Sequence, residues 1–150
     1  MAGDLKRKQG TTTSLQTTGS GTLSNNASVA AASANLANQS NLDRSALFVL
    51  NAGFSSSPAV GAEIQLFLVP AADGTNFDDV DSAGTPHKVA PNAYVGSFVV
   101  TKAQTSSQRM TLQVNGLEPR LYKAYLCNIA GQQMAADWTL DAYGSLDQYT

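Results

Sequence analysis

Six short runs of alternating apolar and polar residues fill the chain from Ser45 onward, and they restrict this part to β structure. In one of them Met110, Leu112 and Val114 alternate with polar neighbours, which is the two-residue period of a strand with one buried face. No long stretch in this part carries the 3.6-residue apolar period of an amphipathic helix. Gly, Pro and Asn separate the runs, as turns do. The predicted strands are 45–53, 62–70, 94–102, 109–116, 120–128 and 134–143.

Short strands at this spacing predict an all-β fold, an antiparallel β-sandwich or jelly-roll-like domain. We assign residues 44–150 to that domain. Tyr122 and Tyr125 lie three positions apart in one predicted strand, so their side chains are expected on opposite faces of the sheet. One of the two is expected in the core, and the other exposed or covered by a partner.

The first part of the chain has a different composition. Between Gln9 and Leu42 there is no charged residue, no aromatic residue and no proline. Its apolar area is too small to offset the roughly 1–2 kcal/mol per residue that ordering a backbone costs. We therefore expect residues 1–43 to form an extended, low-complexity arm that lies on another surface. That surface is its own domain, a sister subunit or a different protein, and a partner is the expected one.

Composition also narrows the classes of function. Charged residues make up 13% of the chain, about half the usual share, and the net charge is −2. We therefore expect no nucleic-acid partner and no membrane partner. One Cys and one His exclude a disulfide framework and a multi-histidine metal site. The sequence predicts no cofactor and a protein that works by contact.

The connection 71–92 contains a cluster of acidic residues in the run DGTNFDDVD. Calcium takes six to eight oxygen ligands, so the cluster is worth testing as a cation site. However, the run lacks the D-x-[DN]-x-[DN]-G turn that wraps the ion. A solvated acidic loop is the expected structure, with metal binding and salt bridges to a neighbouring subunit as alternatives.

His87 follows this acidic run in GTPHKVAPN. A Ser-His-Asp triad with Asp81 is chemically possible, yet no G-x-S-x-G elbow accompanies it. The surrounding Pro and Gly residues favour a surface turn, so we expect the chain not to be an enzyme. Cys127 lies in a predicted strand, where a lone Cys is expected to be a small buried apolar residue.

Three kinds of residue are candidates for a partner interface. A basic cluster near the start of the arm suits an acidic protein surface, since desolvated Arg pairs fix the register of an interface. Widely spaced leucines of the arm would be buried by whatever surface holds it. Large aromatic residues of the sandwich anchor either a core or an interface. The candidates are Lys6, Arg7, Lys8, Leu15, Leu23, Leu36, Tyr94, Trp138 and Tyr143.

Several segments of the chain resemble small virion structural proteins of tailed bacteriophages, of the capsid decoration or cement type. The first is the run QGTTTSLQTTGSGTLSNNASV, where a basic start leads into a Thr- and Ser-rich segment. Three others follow in the sandwich: EIQLFLVPAADGTNFDD, PNAYVGSFVVT and RMTLQVNGLEPRLYKAYLCNIAGQQM. The resemblance covers most of the chain, but the arm is richer in Ala and Asn and the acidic loop is longer than in that group.

The resemblance implies a β-sandwich on the outer capsid surface, made in the bacterial cytoplasm, whose arm crosses neighbouring shell subunits. Its partners would be the major capsid protein and further copies of itself, as a dimer or trimer. It implies no catalytic residue. Two alternatives remain open: a tail-associated or head-fibre module that recognises a cell-surface glycan, and a tail or neck subunit. For the glycan reading, Tyr94, Trp138, Tyr143 and Tyr149 together with the acidic loop would form the site.

Overall fold

The computed structural model describes residues 5–78, 80 and 89–149, and nine strands account for about half of these residues. One short helix, α1 (Asn38–Asn41), and a 3-10 turn at Pro91–Ala93 interrupt the β structure. The strands are β1 (Leu5–Gln16), β2 (Ser28–Ala30), β3 (Leu36–Ala37), β4 (Ser45–Ala52), β5 (Glu63–Pro70), β6 (Tyr94–Val99), β7 (Gln108–Asn115), β8 (Leu121–Asn128) and β9 (Thr139–Tyr149).

These strands form two antiparallel sheets. One has four strands in the order β1-β9-β4-β7; the other has five, in the order β2-β8-β5-β6 with β3 also paired to β8. The all-β prediction is thus confirmed, and each of the six predicted strands is present as β4 to β9. The last begins at Thr139 rather than residue 134, because Met134 instead forms isolated bridges with Leu23 and Phe54.

The core lies between the two sheets, where the inward side chains of both meet. Met110 and Val114 of β7 point into it, as their alternation predicted. Trp138 is also there, 2% exposed, and its Nε1 donates a hydrogen bond to the Gly21 carbonyl at 3.1 Å. Full burial of such apolar side chains contributes about 1.5–3 kcal/mol each. Other members are Phe48, Leu50, Ile64, Leu66, Phe98, Leu126 and Leu140.

Residues 5–43 are built into this sandwich, in contrast to the separate, partner-held arm that the composition led us to expect. Residues 5–16 are extended, as expected, but they form an outer strand of the four-stranded sheet against β9. β2 and β3 pair with β8 in the other sheet. Leu15, Leu23 and Leu36 are at most 4% exposed and lie in the core between the sheets.

Backbone pairing explains why a segment with so little apolar area is ordered. Leu23 exchanges two backbone hydrogen bonds with Met134, at 3.0 and 2.9 Å. The Asn128 side chain donates to the Leu23 carbonyl at 2.9 Å, and Gln16 Oε1 accepts from the Ala32 amide at 2.8 Å. The small side chains let the segment lie flat on the sandwich, which supplies partners for its peptide groups. Apolar area within the segment alone is therefore the wrong measure of its order.

The expected directions of Tyr122 and Tyr125 are confirmed, whereas Tyr94 departs from simple alternation. Tyr122 and Tyr125 do face opposite sides: Tyr122 lies in the core, while Tyr125 lies in a second buried cluster on the outer face of the five-stranded sheet. Simple alternation along β6 would place Tyr94 and Phe98 on one side of the sheet, but the register shifts beside Leu66. A β-bulge reverses side-chain direction beyond it, so Tyr94 faces outward while Phe98 is buried.

Candidate functional site

A two-stranded ribbon extends one end of the sandwich. In the four-stranded sheet, Ser145 of β9 aligns with Gln9 of β1 and with Ser45, the first residue of β4. Ser45 in turn aligns with Asn115, the last residue of β7. Beyond Ser145, β9 pairs only with β1 among the described strands, in the register from Lys8–Leu146 to Leu5–Tyr149. We call residues 5–8 with 146–149 the ribbon. A lone two-stranded hairpin is only marginally stable in water, so this element has the most stability to gain from contact with a partner.

The ribbon carries the basic cluster that the sequence singled out. Lys6, Arg7 and Lys8 are exposed, and Asp147 is the one carboxylate among the eight ribbon residues. Three cations against one anion give the ribbon a charge of +2 in a chain whose net charge is −2. Within the described residues, Asp147 pairs with Arg7 at 3.8 Å and with Arg44 at 4.0 Å, while Lys6 and Lys8 form no ion pair. This end of the molecule is therefore suited to an acidic surface.

Two further segments lie at the same end as the ribbon. The turn 116–120 follows the last residue of β7, and residues 42–44 precede β4. Together they line a cavity of about 400 Å³, and the same turn borders two others of about 210 and 560 Å³. We call the ribbon, residues 42–44 and the turn 116–120 the ribbon end.

Leu42 is an apolar side chain presented at this end. It is 61% exposed and has φ 56°, a left-handed conformation uncommon for a residue with a β-carbon. Buried Asn38 holds the loop around it: its Nδ2 donates to the carbonyls of Asp43 at 2.9 Å and Glu118 at 2.8 Å. Its Oδ1 accepts from the Asp43 amide at 2.8 Å. An exposed apolar residue on a rigid loop is a typical anchor for a partner.

Asp43 lies behind Leu42 and is 2% exposed. Neither carboxylate oxygen makes a hydrogen bond of ordinary geometry with a described residue. Burial raises the pKa of this carboxyl, while the nearby Thr11 amide lowers it in part. A buried carboxylate without a full set of partners is costly. No sequence motif marked this residue.

Four of the predicted interface residues lie in the core and are unavailable to a partner in this fold. They are Leu15, Leu23, Leu36 and Trp138. These four side chains are buried because they are the apolar groups that pack the first part of the chain and the segment 134–138 against the two sheets. By contrast, the cluster Lys6, Arg7 and Lys8 is exposed.

The two remaining aromatic candidates lie on opposite outer faces. Tyr143 is half-buried on the four-stranded sheet, in register with Thr12 and Leu47. Tyr94 is 45% exposed on the five-stranded sheet and packs edge-on against Phe67, with ring centroids 5.6 Å apart. Trp138 is inside, so Tyr94, Trp138 and Tyr143 do not converge on one glycan site; the side chain of Tyr149 lies outside the described residues.

Tyr94 does border a small cavity of about 260 Å³. Its lining includes Phe67, Val89 and Gln65. The Gln65 Oε1 atom is buried and accepts no hydrogen bond from the described residues. An aromatic wall beside an unpaired amide oxygen has the chemistry of a small polar ligand site.

The acidic loop and His87 are only partly within the described residues. Asp73 lies in a tight turn, where its carboxylate accepts hydrogen bonds from Asn76 and from the Thr75 amide. These bonds lower the pKa of Asp73 to about 2. Asp79, Asp81 and His87 lie outside the described residues. In the part that is described, no group of His, Cys, Asp and Glu side chains is arranged to hold a metal ion.

Cys127 is buried as expected, in the outer-face cluster with Tyr125 and Phe67. Burial raises the pKa of its thiol to about 11. Because the thiolate is the reactive form, this residue serves packing in the folded protein.

No protein-family model matches this chain, and no curated protein matches it. Among the described residues, no helix is long and apolar enough to cross a membrane.

Proposed function

We propose that this chain is a structural accessory protein of a phage capsid, of the cement or decoration type, which docks on the major capsid protein through the ribbon end. The observation that carries the proposal is the ribbon: a marginal two-stranded element with exposed cations beside an exposed Leu42. The proposed site is the outer surface of the virion, and the protein is proposed to act as a dimer or trimer.

The strand order supports assigning the sandwich to the jelly-roll class. If β3 is set aside, the described residues have eight strands in two sheets of four, in the orders β1-β9-β4-β7 and β2-β8-β5-β6, and only β5 and β6 are consecutive strands of one sheet. First and last strands are neighbours, as are the second and the second last. A chain folded back on itself and rolled up gives this order. Jelly rolls are common in viral capsid domains and in lectins.

The proposed contact is strand addition. β1 is the outer strand of its sheet, so its free edge offers backbone hydrogen bonds to an extended segment of a shell subunit. Lys6 and Lys8 would steer the ribbon onto an acidic surface, and Leu42 would fill an apolar recess there. Many copies on one shell, each with two or three subunits, would bind by avidity even if each contact is weak.

Co-sedimentation with shells that lack this protein tests the proposal. The variant Lys6→Glu/Lys8→Glu reverses the ribbon charge, and Lys102→Glu/Arg109→Glu makes the same change at the opposite end, where both residues are exposed. We expect the first variant to lose most of its binding and the second to keep it. Equal binding by all three proteins would overturn ribbon-end docking, and absence of binding by the wild type would overturn the capsid assignment.

The cavity beside Tyr94 favours a second candidate, a head-fibre or tail module that binds a cell-surface glycan. In that case a sugar ring would stack on Tyr94, and one of its hydroxyl groups would donate a hydrogen bond to Gln65 Oε1. A glycan array probed with wild type and Tyr94→Ala distinguishes the two functions. Binding that disappears with Tyr94→Ala favours the glycan module, whereas no glycan binding by the wild type removes it.

A further inference from the structure

The Asp43 side chain fills a notch between β1 and β9. A β-carbon placed on Gly10 of β1 would lie 1.8 Å from one Asp43 carboxylate oxygen, and one on Gly144 of β9 would lie 1.9 Å from the other. Such separations are far inside contact distance, so a side chain at either position would displace the carboxylate. The carboxylate thus occupies the space of two missing side chains, at the root of the ribbon.

The notch coincides with an irregularity in the pairing. Gln9 faces Ser145 and Thr12 faces Tyr143, so Gly10 and Thr11 together oppose Gly144. Such a bulge leaves one residue outside the ladder. On the far side of the bulge, Leu15 is buried in the core and its carbonyl accepts from the amides of Ser33 and Ala34. The part of β1 that can open alone therefore runs from its start to the bulge.

No cation neutralises Asp43 among the described residues. On β1, Arg7 pairs with Asp147 of β9, and Lys6 and Lys8 are exposed to solvent. Arg44, the next residue, also pairs with Asp147. On the turn 116–120, Arg120 pairs with Glu118 at 2.6 Å. Among the described side chains, the remaining titratable groups on β9 are Asp141 and Tyr143, which lie on its outer face. On β8, just after the turn, the Tyr122 hydroxyl accepts a hydrogen bond from the Glu118 amide.

We propose that Asp43 is a pH-sensitive latch, whose neutral carboxyl holds the ribbon root closed and whose ionisation loosens β1 from β9 between Leu5 and the bulge. A neutral carboxyl suits a site with no cation and few donors. An ionised one leaves a charge buried with incomplete hydrogen bonding, and opening the strand lets water reach it. The idea concerns the ribbon itself; only its consequence for capsid docking rests on the proposed function.

The direction of the pH effect follows from burial, which raises the pKa of Asp43 in the closed form. The closed form then holds the proton more tightly than the open one. Closure is most favourable below the ordinary pKa of Asp, near 3.8, and weakens as the pH rises through the raised value. Each unit of difference between the two pKa values makes opening tenfold more favourable above that window.

Hydrogen exchange read by mass spectrometry, with rates corrected for intrinsic pH dependence, tests the latch in the free full-length protein. We compare wild type with Asp43→Asn at pH 4 and pH 7. In the wild type we expect the peptides covering 5–13 and 144–149 to lose at least several-fold of their protection at pH 7, while those of β5 and β8 do not. In Asp43→Asn, which stays neutral, the ribbon should keep its protection.

Equal protection of the wild-type ribbon at both pH values would overturn the latch, as would a pH response that persists in Asp43→Asn. Titration of the Asp43 carboxyl carbon by NMR in the wild type gives a second test if the variant does not fold. A midpoint at or below 3.8 would contradict the latch. Since neither measurement involves shells, failure of capsid binding and failure of the latch are separate results.

Discussion

Asn38 shows how a single side chain can set the shape of a functional surface. It is fully buried and satisfies three backbone groups that bring the Leu42 loop and the turn 116–120 together. Nothing in the local sequence distinguishes Asn38 from the other asparagines nearby, because one of its partners, the Glu118 carbonyl, is 80 residues away. Its role depends on tertiary packing, which local sequence patterns do not contain.

Replacement of Asn38 by Ala is expected to lower the free energy of unfolding by about 2–3 kcal/mol, because buried backbone groups lose their partners. Asn115→Ala is the matched control, since Asn115 is exposed, and should change stability by less than about 0.5 kcal/mol. Urea denaturation followed by Trp138 fluorescence measures both. Similar losses in the two variants would contradict the role assigned to Asn38.

Cys127 gives a second prediction at this scale. Because its thiol is buried and its pKa is about 11, a thiol reagent at pH 8 should not label it in the folded protein. The same protein in denaturant should be labelled at the rate of an ordinary thiol. Rapid labelling without denaturant would show that the outer-face cluster around Tyr125 opens readily.

Individual strands were largely predictable, and the reasons for the exceptions are physical. β4 to β9 follow from apolar alternation, a local property of the chain. β1 to β3 lack that signal because they are built from small and polar residues whose order comes from pairing with β8 and β9. Similarly, the outward direction of Tyr94 depends on a register shift against β5, which periodicity within β6 does not reveal.

The leucines of the first 43 residues test this description of the elements. Leu15→Ala is expected to lower the free energy of unfolding by about 2–5 kcal/mol, because it empties a core position. Leu42→Ala, at a site that is 61% exposed, should change it by less than about 0.5 kcal/mol. Urea denaturation of the two variants gives the comparison.

Binding of the same variants to shells then separates packing from docking. Leu42→Ala should weaken shell binding, although its fold is intact. If Leu15→Ala instead keeps full stability and loses binding, the leucines of this segment contact a partner, and the structure described for β1 does not hold in solution.

For the molecule as a whole, the two sheets depend on both ends of the chain. Removal of residues 1–42 takes away β1, β2 and β3 together with three core leucines. We therefore expect the truncated protein to lose its cooperative thermal unfolding transition and its native circular dichroism spectrum. A truncated protein that keeps both would show that residues 44–150 are a domain by themselves, as the composition first indicated.

Of the candidate site, the sequence predicted the basic cluster but not the surface it belongs to. Lys6, Arg7 and Lys8 are conspicuous because no charged residue follows them until Asp43. The ribbon itself exists because β9 continues past the first residue of β4, and this depends on the register of strands more than 130 residues apart. Leu42 joins this surface through the hydrogen bonds of Asn38, which the local sequence does not reveal.

The most direct test of the account is a hydrogen-exchange comparison of the free protein with the protein bound to shells that lack it. Docking by the ribbon end predicts new protection in residues 5–9, 42–44, 116–120 and 145–149. It predicts no change at the opposite end, in 53–60 and 101–107. Protection confined to that opposite end, or to the outer face around Tyr94, would contradict the account.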